Sequence, residues 1–135
     1  MNSAALVLLA HADGLLSGQS TVASGNSARL AAFVARQAAE ILIDDRCAEL
    51  GAACPEGTMR SKSSVLKSLD AEGPGVDLVY AWNRLSECCH QHAYELAPTV
   101  NEVRGLCVAV AASAAGRWRW PVAENVSRGY HGALR

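Results

Sequence analysis

Apolar residues recur along this chain at helical intervals in five stretches separated by short polar or glycine-containing breaks, and no stretch sustains the strict alternation of a half-buried strand. From Ser3 to about Leu16, Leu6, Leu9, Ala10 and Leu16 keep helical spacing, until Gly14 and Gly18 weaken and then end the pattern. The segment GQSTVASGNS reads as a small-residue loop whose last residues, Asn26 or Ser27, cap a long second helix running to about Leu50. In that helix Leu30, Val34, Ile41 and Ala48 fall near one line, flanked by Phe33, Ala38 and Leu42. Arg36 and Glu40 can pair across one turn, and Gly51 suits the position just past the end. Thr58 caps a short third helix through Leu69, with Val65, Leu66 and Leu69 as its apolar edge and Arg60, Lys62 and Lys67 on a solvated face. After the irregular AEGPG, Asp77 is the expected cap of a fourth helix extending to about Leu96, which Pro98 stops. Thr99 and Glu102 form a capping box that opens a fifth helix to about Ala115, carrying Val103, Leu106, Cys107 and Val110 at i, i+3, i+4 and i+7.

These elements predict an all-α protein, an antiparallel four- to five-helix bundle with short loops, occupying residues 1–116. At 135 residues, half of them apolar, the chain fits one domain with a substantial core. The net charge of −1 gives no global attraction to nucleic acid or anionic membrane, so binding of that kind requires a local patch. Five cysteines, Cys47, Cys54, Cys88, Cys89 and Cys107, are odd in number and irregularly spaced, mostly in apolar runs. That pattern reads as reduced thiols of a cytoplasmic protein. The start, MNSAALVLLAHADG, imitates a signal peptide but lacks a basic leading region, and no run reaches the roughly 18 apolar residues of a membrane span.

Candidate chemistry concentrates in AWNRLSECCHQHAYELAPT, residues Ala81 to Thr99, which holds two of the four histidines. On a helical wheel at about 100° per residue, Leu78, Trp82, Leu85, Cys89 and Leu96 form a core stripe. Arg84, Glu87, Gln91, Tyr94 and Glu95 face the other way, and His90 and His92 sit on opposite shoulders. Arg84 lies about 120° from His90 and about 80° and two turns from His92, so one straight helix brings neither pair together. A kink or a second helix is needed, and an isologous homodimer would supply the second helix. Arginine offers a forked, permanent cation suited to phosphate, and histidine exchanges a proton near neutral pH. Together they suffice for metal-independent cleavage of RNA, in which the 2′-hydroxyl attacks its own phosphate, with Glu87, Tyr94 and Glu95 in support.

An all-helical domain with Arg84-Leu-Ser-Glu-Cys-Cys-His90 late in the bundle resembles the HEPN superfamily (higher eukaryote and prokaryote nucleotide-binding domains). That resemblance implies a ribonuclease site built from an arginine and a histidine four to six residues apart, contributed by both protomers of a dimer. It also implies membership among toxins whose histidine is followed after one residue by tyrosine, as in His92-Ala93-Tyr94, with a nucleotidyltransferase antitoxin as partner. The arginine at the family's distance belongs to His90, however, since seven residues separate Arg84 from His92, and Leu85 stands where the family commonly has a polar residue. The catalytic candidates are therefore Arg84, His90, His92, Glu87 and Tyr94, with no cofactor and no metal. Cys88, Cys89, His90 and His92 invite a zinc reading, but ligands adjacent in a helix point in divergent directions, and no Cys-x-x-Cys supplies the other half of a site.

Residues 117–135, RWRWPVAENVSRGYHGALR, form a separate tail with four arginines against one glutamate and no helical period. Trp118 and Trp120 beside Arg117 and Arg119 suit stacking on single-stranded nucleic acid, or burial against the bundle or a sister subunit. The competing functional expectation is a non-catalytic interaction or regulatory module that binds a partner protein through the fourth helix and this tail. In that case His92 is a hydrogen-bonded core residue, and Tyr94 and Glu95 fix a helix corner.

Overall fold

The computed structural model describes residues 2–18, 24–90 and 97–115, and among these it shows five helices and no strand: α1 (Ser3–Leu16), α2 (Ser24–Glu49), α3 (Met59–Leu69), α4 (Pro74–Cys89) and α5 (Val100–Ala114). The chain is an all-α helical bundle, as the periodicity predicts. No helix among the described residues is long and apolar enough to cross a membrane.

α2 is the axis of the bundle, in contact with each of the other four helices. Asn2, the N-cap of α1, donates its side-chain amide to Asp45 near the end of α2, and Trp82 in mid-α4 donates its indole N–H to Glu40. With Gly75 at the start of α4 close to Arg46 through Asp70, these contacts set α1 and α4 antiparallel to α2. Arg84 to Glu102 sets α5 antiparallel to α4, and Arg104 of α5 donates to the terminal carbonyl of α1 at Leu16.

The buried face of α2 is not the predicted line. Leu30 and Phe33 are 45% and 49% exposed, while Ala28, Ala31, Ala32, Ala35, Ala38 and Ala39 are sealed, continued by Leu42, Ile43 and Cys47. A helix surrounded by neighbours must let their axes approach closely, and alanine permits that where leucine would hold them apart. The core stripe of α4 is likewise rotated, to Leu78, Val79, Ala81, Leu85 and Cys88, with Trp82 and Cys89 packed at its edge. In α1 the buried line is Ala5, Leu9, Ala12 and Leu16, which leaves Leu6 half exposed.

Helix ends agree with their chemistry where the cap is local. Thr58 and Thr99 accept from the N–H of Ser61 and Glu102. Gly51, with φ of 73°, closes α2 by a left-handed turn in which Ala52 N–H bonds the Cys47 carbonyl and Gly51 N–H that of Ala48. α2 begins at Ser24, ahead of the expected Asn26 or Ser27. α4 begins at Pro74 instead of after Asp77, because proline is well placed in a first turn where its missing N–H leaves no bond unmade. The cap Gly73 has no side chain, and Asp70 takes over, accepting the Gly75 N–H at 2.7 Å.

α3 departs from the expected solvated basic face. Lys62 is buried and its ammonium pairs with Asp44 at 2.7 Å, tying α3 to α2, while Leu69 of the expected apolar edge is 56% exposed. A buried ammonium requires a partner, and Asp44 supplies it.

Candidate functional site

α4 is shorter than the expected helix to Leu96. It ends at Cys89, where His90, the C-cap, donates its N–H to Glu87 three residues back, and its ψ of 132° turns the backbone extended. Local chemistry weakens this end. Ser86 donates its hydroxyl to the Trp82 carbonyl at 2.8 Å, a back-bond that competes with the helix ladder, and Cys88, Cys89 and His90 are poor helix formers. The helical-wheel relation between Arg84 and the histidines therefore stops at Cys89. His92 and Tyr94, together with Gln91, Glu95 and Leu96, lie outside the described residues.

Of the candidates, Arg84 and Glu87 are brought together and His90 is exposed at the end of the same helix. Arg84 places one terminal nitrogen 2.6 Å from Glu87 and the other 2.9 Å from Glu102 of α5, with 42% of its side chain exposed. Glu102 is the residue that the sequence reading missed. Its position in the capping box was visible, and in the expected box its carboxylate would turn back to the Thr99 N–H. Here Thr99 does its half, while the Glu102 carboxylate bonds Arg84 across the helix pair. One cation between two carboxylates leaves the cluster net negative, and both terminal nitrogens of the guanidinium already have partners.

Behind this surface, Cys88 is buried. Burial pushes its thiol up to about 11, with the Glu102 carboxylate adding to the shift and Arg84 opposing it, so at neutral pH it is a protonated core residue and not a nucleophile. Cys89 is shifted the same way by burial, against the opposing pull of Arg36. Arg36 pairs with Glu40 as the sequence predicts, and its guanidinium lies 5.7 Å from the centre of the Trp82 ring, so Arg36, Glu40 and Trp82 form one bridge between α2 and α4. Among the described residues, no three histidine, cysteine or acidic side chains gather as a metal site.

At the opposite end of α4 stands a second arginine cluster that no local pattern announces. Arg46 of α2 donates from Nε and a terminal nitrogen to the two oxygens of Asp70, each at 2.8 Å, and from the other terminal nitrogen to Glu49. Asp70 is buried, and first the Arg46 hydrogen bonds, then the Gly75 N–H, hold its carboxyl below the usual range against the opposing effect of burial. The guanidinium is correspondingly raised. Beside this clamp, α2, α4 and α5 leave a cleft of about 620 Å³ with Leu42 and Leu78 on its walls and Asp45 and Glu49 among its lining. Comparison with family models, with characterised proteins and with solved structures finds no match to this chain.

Proposed function

We propose that this protein is a non-catalytic helical interaction module that associates with a second copy of itself, or with a regulatory partner, through the outer face of α4 and α5. The observation that carries this reading is the double pairing of Arg84, because a guanidinium already bonded to Glu87 and Glu102 within a net-negative cluster is poorly suited to take a phosphate. The same face is well suited to protein. Tyr80, one turn before Arg84, is 43% exposed and Val108 on α5 is 54% exposed, giving an aromatic and an aliphatic contact beside a charged rim. In an isologous pair each copy contributes the same Tyr80 and Val108 contacts, with the net-negative Arg84 clusters left at the solvated edge. Sedimentation equilibrium tests it. A dimer that Tyr80→Arg with Val108→Glu converts to monomer supports the reading, and a wild-type chain that stays monomeric at high concentration overturns self-association.

A HEPN-like ribonuclease or toxin component remains the second reading, favoured by the early end of α4. Because the backbone leaves the helix at His90, an exposed histidine and a half-exposed arginine stand at one corner of the molecule without the constraint of a straight helix. There a histidine would take the 2′-hydroxyl proton of an RNA and Arg84 would offset the charge gathering on the phosphate, once the RNA had displaced Glu87 and Glu102. Incubation with RNA separates the readings. Cleavage abolished by Arg84→Ala and by His90→Ala or His92→Ala, with the melting temperature nearly unchanged, establishes the nuclease, and intact RNA after incubation with wild-type protein excludes it.

A further inference from the structure

Helical periodicity marks Leu30 and Phe33 as core, yet the single chain leaves them 45% and 49% exposed on α2. Phe33 is the chain's one phenylalanine. The outward line of α2 continues from them through Gln37, which is exposed, and Ile41, which is half-buried, to Asp44, half of whose side chain is exposed. Steps of three or four residues keep all five on one strip of the helix, about 21 Å long. The steps run three, four, four and three, so the strip reads the same from either end about Gln37.

The charges of α2 are divided between its halves. Before Gln37 the helix carries only Arg29 and Arg36, and beyond it Glu40, Asp44, Asp45 and Glu49 outnumber Arg46. That order runs against the helix dipole, which favours acids near the N-terminus and cations near the C-terminus. Arg36 and Arg46 have carboxylate partners within the chain. Arg29 has none among the described residues, and its Nε is buried without an acceptor. Toward the other end of the helix, Lys62 holds Asp44 by its Oδ1 oxygen, and Asp45 accepts from the neutral amide of Asn2.

We infer that this strip is the seat of a second copy of the chain, laid antiparallel against it with the two-fold axis at Gln37. The symmetric spacing places Phe33 of each copy on Ile41 of the other, and Gln37 on Gln37, whose amide both donates and accepts. Arg29 then meets the Asp44 oxygen that Lys62 leaves open on the other copy, so an unpaired cation and an acid-rich end are matched at both ends of the strip. Antiparallel α2 helices also oppose their dipoles, and each acid-rich half lies beside the N-terminal half of the other, where the dipole favours it. This goes beyond the proposed function, because it seats the second copy on α2 and leaves the α4–α5 face to a regulatory partner.

Sedimentation equilibrium of full-length variants is the test. The wild-type chain is expected to be a dimer, which Phe33→Glu weakens by about a hundredfold and Arg29→Glu by about tenfold. Tyr80→Arg with Val108→Glu is expected to leave it dimeric. Phe33 is half exposed in the single chain, so Phe33→Glu should keep the helical circular dichroism of the wild type. If that variant fails to fold, Arg29→Glu decides in its place. A wild-type chain that stays monomeric at high concentration overturns the inference, as does a dimer indifferent to both Phe33→Glu and Arg29→Glu. A dimer lost only in the Tyr80 and Val108 variant overturns the α2 seat and upholds self-association through α4 and α5, so the two readings fail separately.

Discussion

Arg46 and Arg84 make the same bonds in outline and have different weight in the structure. Each sits on a long helix, gives one terminal nitrogen to a glutamate three residues on and the other to an acid from a different part of the chain. At Arg46 that acid is Asp70, whose side chain is 5% exposed and which also caps α4. At Arg84 it is Glu102, whose side chain is 38% exposed. Water competes for every bond at the second site and is largely excluded from the first. Identical ion-pair counts therefore describe a structural clamp in one place and an adaptable surface in the other.

Removing the buried acid should have the largest effect. Asp70→Ala leaves Arg46 without its forked partner and the Gly75 N–H without an acceptor, and a loss of about 3–5 kcal/mol is expected in chemical denaturation. Gly75→Ala attacks the same clamp by volume. A Cβ there would run into the Asp70 carboxylate and push it off Arg46, with an expected loss of about 1–3 kcal/mol.

Acid should separate the two arginines next. A carboxyl whose folded value lies below its unfolded one contributes stability that is fully present above the unfolded value, about 3.9 for aspartate, and lost as pH falls through the folded value. The stability gap between wild type and Asp70→Asn should therefore narrow as urea midpoints are followed from about pH 5 downward. The smallest effect belongs to the exposed cluster, where Arg84→Ala should cost less than about 1 kcal/mol and shift the melting temperature by only a few degrees. A loss at Arg84 as large as that at Asp70 would erase the comparison and mark Arg84 as a structural tie.

The helices were legible because their signals are local. Thr58, Thr99 and Gly51 act on residues within a turn, and the 3.6-residue period survives whatever packs against it. The faces were harder to read. Taking large apolar residues as the core placed Leu30 and Phe33 inside, when the alanines of α2 are buried because four helices close around them. Lys62 looked like surface for the same reason, since its partner Asp44 is on another helix. At the candidate site Arg84, Glu87 and His90 were found from composition and spacing, while Glu102, 18 positions from Arg84, came to it only through the antiparallel packing of α5 on α4. The arrangement of His92 and Tyr94 lies outside the described residues.

What the sequence determined alone is, among the described residues, the number and kind of elements, the positions of most of their ends, and the pairing of Arg36 with Glu40 one turn along α2. Tertiary structure decided which face of each helix is buried, that Asp70 caps α4 while clamping Arg46, and that Arg84 is engaged by two carboxylates. The division follows from range. Backbone hydrogen bonds and caps are satisfied within a few residues, whereas burial and charge depend on which distant segments exclude the water.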